Sequence, residues 1–112
     1  GTMEEGLNTL EKLTTSENWA LAAESVYFLA KIYLESEDNA QVSLKYSEKL
    51  TAQYPHNYIF NIKLAKALKK LGQIAKLERF CSLQIIDIAS SKGLTDVSRK
   101  HFTEVFTEIM ND

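Results

Sequence analysis

Residues 26–33 read VYFLAKIY and residues 61–68 read NIKLAKAL, and these two stretches decide the fold. Each stretch places a leucine directly before an alanine, and apolar residues recur every three to four positions along it. That spacing is typical of an amphipathic α-helix. The alanine matters because a small side chain lets two helix backbones approach closely. The sequence therefore predicts two helices, each packed tightly against its neighbours.

The same periodicity extends to the rest of the chain and predicts six helices. They cover about residues 3–14, 17–36, 39–54, 57–71, 73–91 and 95–111. Pro55, Gly72 and Gly93 are expected to end the third, fourth and fifth helices. The N-terminal caps predicted for helices two, three, four and six are Ser16, Asp38, Asn57 or His56, and Thr95. Apolar and polar residues never alternate over a sustained run, so we predict an all-α fold.

Composition narrows the function classes. The 112 residues fit one domain, and a net charge of −2 argues against a general binder of polyanions. Residues 57–80 nevertheless form a basic zone, with six cationic side chains and one anionic one. The cationic residues are Lys63, Lys66, Lys69, Lys70, Lys76 and Arg79. Lys63, Lys66 and Lys70 follow i, i+3, i+7 spacing, which predicts one shared helix face.

The sequence gives limited information on the cellular compartment and on whether the chain is part of a longer protein. One cysteine, Cys81, excludes an internal disulfide and weakly favours the cytoplasm. No apolar run reaches the roughly 20 residues of a membrane helix. Gly1-Thr2-Met3 resembles an expression scar, so we expect residues 1–112 to be one domain within a longer protein. A signal peptide or further repeats would then precede it.

Two helical hairpins in this sequence resemble tetratricopeptide repeats, at about 17–55 and 57–91. In that family the first helix of each pair carries a large residue, then a leucine followed by a small residue, then an aromatic residue. The matching positions are Val26, Leu29, Ala30 and Tyr33, then Asn61, Leu64, Ala65 and Leu68. The second helices match at Ser43, Tyr46 and Pro55, whereas Leu50 and Leu77 replace the usual alanines. Helices at about 3–14 and 95–111 flank the two repeats, and Trp19 begins the apolar stripe of the second helix.

This resemblance implies an antiparallel helix-hairpin solenoid, because one hairpin cannot bury its apolar face alone. In the family, the first helix of each pair lines a concave groove that binds a protein or peptide. The resemblance thus implies a non-catalytic interaction scaffold, without a cofactor, for a partner with acidic residues. The groove residues it implies are Tyr27, Lys31, Ile62, Lys66, Lys69 and Lys70. Replacing Lys66 and Lys70 by glutamate is expected to weaken binding and to leave stability nearly unchanged.

Lys31, Lys66 and Lys70 also resemble part of the carboxylate grip of repeats that bind the acidic tails of heat-shock chaperones. The asparagines of that grip have no counterpart here. This chain therefore matches such repeats only in part. The broader expectation is a groove that binds acidic and apolar residues of a peptide.

An enzyme is not expected. His56 and His101 are the only histidines, and each is predicted to lie at the surface, whereas Cys81 lies in an apolar stripe. No glycine-rich phosphate loop, Cys-x-x-Cys or His-x-x-x-His motif is present. Glu104 and Glu108 are spaced for a shared metal, but a solvated helix face is the simpler interpretation. We predict neither catalytic residues nor a metal site.

Two alternatives stay open at this point. The chain could self-associate as a homodimer through its terminal helices, with Phe106→Glu expected to break the dimer. It could also be a regulatory appendage of an enzyme that lies outside these residues. Nucleic acid is disfavoured despite Tyr58 and Phe60 beside the basic zone, since no binding motif appears. Membrane attachment is disfavoured because the helices need their apolar faces for their own core.

Overall fold

Six α-helices form the chain in this computed structural model, which describes residues 2–112. They are α1 (Met3–Leu13), α2 (Trp19–Glu35), α3 (Ala40–Gln53), α4 (Tyr58–Lys70), α5 (Ile74–Ser90) and α6 (Asp96–Asn111). The predicted all-α class and the six helices are confirmed, and every helix end lies within two residues of its prediction. None of the described helices is both long and apolar enough to span a membrane.

Asparagine, rather than the predicted serine and aspartate, caps α2 and α3. The Asn18 side chain accepts a hydrogen bond from the Leu21 amide, and Asn39 does the same at the start of α3. The predictions of Ser16 and Asp38 were wrong. Ser16 Oγ accepts from the Asn18 amide instead and so shapes the turn before the cap. Asp38 has a φ of 47°, a left-handed conformation outside the extended region that an N-cap residue adopts.

Three other predicted boundaries are confirmed. Asn57 and Thr95 cap α4 and α6 through side-chain oxygens. Gly72 follows α4 with a φ of 71°, the left-handed conformation that favours glycine after a helix. Gly93 does not have this role, because α5 already ends at Ser90 and Ser91 continues in an extended conformation.

Successive helices from α2 onward pack antiparallel. The pair α4 and α5 shows this directly, because Asn61 contacts Gln84 while the earlier residue Tyr58 contacts the later residue Asp87. Contacts otherwise join only helices that are neighbours in sequence, together with α2–α4 and α4–α6. Within the described residues α1 and α6 do not touch. The helices are therefore stacked in sequence order and do not close into a ring.

Every second helix runs in the same direction. The rings of Tyr27 and Phe60 lie 5.5 Å apart, and further along both helices Lys70 Nζ lies 2.8 Å from the Leu34 carbonyl oxygen. Residue numbers rise together along both helices, so α2 and α4 are parallel.

The pair α4 and α6 has the same geometry. Tyr58 and Phe102 lie with ring centroids 5.4 Å apart, and Lys69 Nζ lies 2.9 Å from the Ile109 carbonyl oxygen. The helices α2, α4 and α6 therefore form one parallel row, with all three C-termini at the same end.

Small side chains lie where the helix backbones come closest. Ala30 and Ala65 have no exposed surface, as the leucine–alanine pattern predicted. Ser43 is also fully buried, and its Oγ donates to the Ala30 carbonyl oxygen at 2.6 Å. A side-chain hydroxyl can reach a backbone carbonyl inside the neighbouring helix only when the two helices lie very close together.

A buried polar group fixes the register of α3, α4 and α5. Asn61 is fully buried and donates to the Pro55 carbonyl oxygen at 2.9 Å and to Gln84 Oε1 at 2.8 Å. Thr51 Oγ1 donates to Asn61 Oδ1 at 2.9 Å. Sliding one helix would leave a buried amide without partners, at a cost of about 1–3 kcal/mol. The network therefore favours one alignment of the three helices.

The flanking helices differ in how deeply they pack. On α6, Phe106 is fully buried and Ile109 nearly so, against the core formed with α4 and α5. On α1, no residue is fully buried, and its apolar residues Leu7, Leu10 and Leu13 are half-buried. Helix α6 thus covers the last hairpin, whereas α1 covers α2 only loosely.

Ala65→Leu tests the close approach of the helices. We expect the free energy of unfolding to fall by about 1–3 kcal/mol, since no space exists for three added carbon atoms. The matched control Ala52→Leu lies on the exposed face of α3 and should change stability by less than about 0.5 kcal/mol. Urea denaturation measures both variants. Equal stabilities would show that α4 is not tightly packed at Ala65.

Candidate functional site

A groove of about 540 Å³ lies between the C-terminal halves of α2, α4 and α6. Its lining residues are Leu34, Lys66, Lys69, Lys70, Val105, Glu108, Ile109 and Asp112. The groove exists because the three helices are parallel and their last turns lie side by side. Three of the six groove residues expected from the sequence, all lysines of α4, line it.

The other three expected residues lie outside this groove. Tyr27 lines a separate cleft near the N-terminal halves of α2 and α4. Ile62 is half-buried and packs against the hydrophobic core. Lys31 is exposed and lines neither cavity. The structure therefore separates residues that the sequence pattern placed on one surface.

Two of the groove lysines cap the C-termini of neighbouring helices. Lys70 donates to the Leu34 carbonyl oxygen of α2 at 2.8 Å, and Lys69 donates to the Ile109 carbonyl oxygen of α6 at 2.9 Å. Neither α2 nor α6 has a basic residue in its own last turn. Free carbonyl groups give a helix C-terminus a partial negative charge, which a nearby cation stabilises. Both lysines thus have a structural role that sequence spacing could not show.

Lys70 has a second partner at the turn after α2. Its Nζ lies 2.8 Å from Asp38 Oδ1, and the hydrogen bond to Lys70 holds the pKa of the Asp38 carboxyl below its usual value. The variant that replaces both Lys66 and Lys70 by glutamate would therefore disturb this turn as well. Contrary to the expectation from sequence, it does not separate binding from stability.

Lys63 is not on the exposed face that the i, i+3, i+7 spacing predicted. Only 5% of it is exposed, and its Nζ lies 3.4 Å from Glu35 Oε1 and 5.7 Å from the centroid of the Tyr27 ring. The hydrocarbon part of the side chain packs between α2 and α4 while the ammonium group reaches an acidic partner. Lys63 consequently holds the two helices together.

Lys66 is the groove lysine without a partner among residues 2–112. Its side chain is exposed and forms no hydrogen bond or ion pair with any described residue. Leu34, Val105 and Ile109 supply apolar surface to the same groove, and Glu108 of α6 is an acidic residue of its lining. The groove therefore combines one available cation with an apolar floor.

A third cationic cap was missed from the sequence. Arg99 of α6 donates to the Ile88 carbonyl oxygen and, at 2.8 Å, to the Ser91 carbonyl oxygen at the end of α5. Arginine suits this position because its planar group presents several donors in a fixed arrangement. The signal in the sequence was weak, since a single arginine three residues into a helix is common on solvated surfaces.

The histidines lie at the surface, as expected, but His56 has a partner. Its Nδ1 lies 2.9 Å from Asp87 Oδ2, and the Tyr58 hydroxyl donates to the same oxygen at 2.6 Å. These hydrogen bonds, chiefly that from Tyr58, lower the pKa of Asp87. His101 is exposed beside the Phe102 ring.

The thiol and the acidic residues form no reactive cluster among residues 2–112. Cys81 has no exposed surface, and burial raises the pKa of its thiol to about 11. A thiol with that pKa is protonated at neutral pH and is a poor nucleophile. Within the described chain, no group of three histidine, cysteine or acidic side chains is placed to hold a metal ion.

The terminal surface expected for self-association is partly interior. Phe106 has no exposed surface, because it packs on α4 and α5 within the same chain. Phe106→Glu would therefore place a charge in the core and lower stability, and it could not report on a dimer.

Comparison with known proteins identifies no relative. No protein-family model matches the chain, and neither the curated proteins nor the solved structures contain a match to it.

The cross-helix caps predict a stability difference between two pairs of lysines. Replacing Lys69 and Lys70 together by glutamine should lower the free energy of unfolding by about 1–2 kcal/mol, because two helix C-termini lose their cation. The control pair, Lys45→Gln with Lys49→Gln on α3, removes the same charge from exposed positions and should cost less than about 0.5 kcal/mol. Urea titrations at low salt measure both, and equal losses would contradict the capping role.

Cys81 provides a test of burial by chemical labelling. A pKa near 11 instead of 9.0 lowers the thiolate fraction at pH 8 about 100-fold. We expect a thiol reagent to modify the folded protein at least about 100-fold more slowly than the urea-unfolded chain. The rate of absorbance change in both states measures this. Comparable rates would show that Cys81 is accessible.

Proposed function

We propose that this chain is a non-catalytic protein-interaction module that binds a peptide segment in the groove of α2, α4 and α6. The observation that supports this most is the exposed, unpartnered Lys66 above an apolar floor. The parallel row of helices and the sequence-order stacking agree with a tetratricopeptide-like arrangement, in which such a groove binds other proteins. The family assignment is part of the proposal.

The groove favours a particular peptide chemistry. A carboxylate of the peptide would pair with Lys66, and an adjacent aliphatic side chain would cover Leu34, Val105 and Ile109. Lys69 uses one of its three ammonium donors on a carbonyl oxygen, so its charge still adds to the attraction, whereas the charge of Lys70 is paired with Asp38. We therefore propose an acidic residue followed by aliphatic residues as the segment recognised.

Two acidic residues limit how much negative charge the groove accepts. Glu108 of α6 and Asp112, which directly follows α6, line the side opposite α2. A second carboxylate near α6 would be repelled, because like charges in close contact oppose binding. The proposed partner accordingly carries its acidic residue toward α4 and neutral residues toward α6, and a uniformly acidic tail binds less well.

Lys66→Glu tests this function with little risk to the fold. The substitution puts a negative charge where the peptide carboxylate would lie, and we expect binding to weaken at least tenfold. Fluorescence anisotropy measures it, with labelled ten-residue peptides that carry one glutamate among leucines and serines, beside uncharged and polyglutamate versions. Thermal melting of the variant should be unchanged, since Lys66 is exposed and forms no hydrogen bond or ion pair among residues 2–112.

Lys45→Glu is the matched control, because it makes the same charge change on α3, which does not line the groove. It should bind the peptide like the parent protein. The proposal is contradicted if no peptide of the series binds, or if Lys66→Glu and Lys45→Glu bind equally well.

A further inference from the structure

A second concave surface lies at the opposite end of α2 and α4 from the groove. It is a cleft of about 390 Å³ lined by Trp19, Ala20, Ala23, Glu24, Tyr27, Phe28, Tyr54, Asn57 and Phe60. Five of these nine residues are aromatic. We infer that this aromatic cleft binds a basic side chain, lysine or arginine, of a peptide partner. This inference goes beyond the proposed function and concerns a different site.

The rings form one continuous row. Centroid separations are 6.4 Å between Trp19 and Tyr54, 5.8 Å between Tyr54 and Phe60, 5.5 Å between Phe60 and Tyr27, and 6.0 Å between Tyr27 and Phe28. The planes are inclined to one another by 35–67°. The inclined rings line one hollow, which suits a guest that enters between them.

Two of these rings are strongly exposed. Trp19 is 70% exposed and Phe28 is 40% exposed. The sequence pattern placed Trp19 at the start of the apolar stripe of α2, but Trp19 is the first residue of that helix and most of its side chain is exposed. A contiguous exposed aromatic patch is uncommon unless it binds something.

The guest's charge follows from the chemistry of the lining. The face of an aromatic ring is electronegative and attracts a cation within about 6 Å of the ring centroid. The row already shows this contact, because Lys63 Nζ lies 5.7 Å from the Tyr27 centroid on the inner side. A second ammonium or guanidinium group in the cleft would have the same interaction with the rings that face outward.

Glu24 favours a positively charged guest in the aromatic cleft. It is the one charged residue among those that line the cleft, and its carboxylate pairs with no described cation. A cationic guest would gain an ion pair in addition to contact with the rings, whereas an acidic guest would be repelled. The opposite ends of α2 and α4 thus have opposite preferences, with Lys66 in the groove and Glu24 in the cleft.

A matched pair of peptides tests the inference. Both are seven-residue glycine–serine peptides, one with a central lysine and one with norleucine, which has the same hydrocarbon chain without the ammonium group. Trp19 is the only tryptophan, so its fluorescence reports binding at the cleft directly. We expect the lysine peptide to change the emission with a millimolar dissociation constant, and the norleucine peptide to bind at least fivefold more weakly.

Variants distinguish binding at the aromatic cleft from binding at the groove. Glu24→Gln keeps the rings and should weaken lysine binding about threefold to tenfold, whereas the control Glu48→Gln on α3 should leave it unchanged. Lys66→Glu should also leave it unchanged, so failure of the groove proposal would not affect this result. Equal binding of the norleucine and lysine peptides, absence of any fluorescence change, or unchanged lysine binding by Glu24→Gln would overturn the inference. An arginine peptide that binds like the lysine peptide would support it further.

Discussion

The close approach of neighbouring helix backbones is the constraint on which the rest of the structure depends. Ala30 and Ala65 have no exposed surface, and the hydroxyl of Ser43 on α3 donates to the carbonyl oxygen of Ala30 on α2 at 2.6 Å. A larger side chain at these positions would push neighbouring helices apart. With the helices this close, α2, α4 and α6 form one parallel row; the groove lies between all three of them, and residues of α2 and α4 line most of the aromatic cleft.

Parallel alignment has an electrostatic cost that the sequence offsets locally. Three helix C-termini at one end collect partial negative charge. Lys69 and Lys70 of the middle helix reach outward to the ends of α6 and α2, and each donates to a terminal carbonyl oxygen. Three of the six cations in the basic zone, Lys63, Lys69 and Lys70, therefore stabilise the fold. Lys66 is the groove lysine that is available to bind a partner.

The helices and their order could be predicted from the sequence, because apolar periodicity and small residues at Ala30 and Ala65 are local patterns. The roles of the lysines could not. Lys63 is buried beside Glu35, and Lys70 caps a helix that ends 35 residues earlier in the chain, at Glu35. Charge spacing on one helix defines a face, but the partners on that face belong to other helices. The exposure of Trp19 was missed for the same reason, since it depends on where the neighbouring helices end.

Interhelical nuclear Overhauser effects between side chains test the parallel row most directly. The stacked arrangement predicts effects between the rings of Tyr27 and Phe60 and between those of Tyr58 and Phe102, whose centroids lie 5.5 and 5.4 Å apart. It also predicts none between α1 and α6, since no contact joins these two helices among the described residues. Effects that join α1 to α6 would show a closed bundle. Absence of both ring pairs would show that α2, α4 and α6 do not form a parallel row, and either result would contradict the groove and the aromatic cleft together.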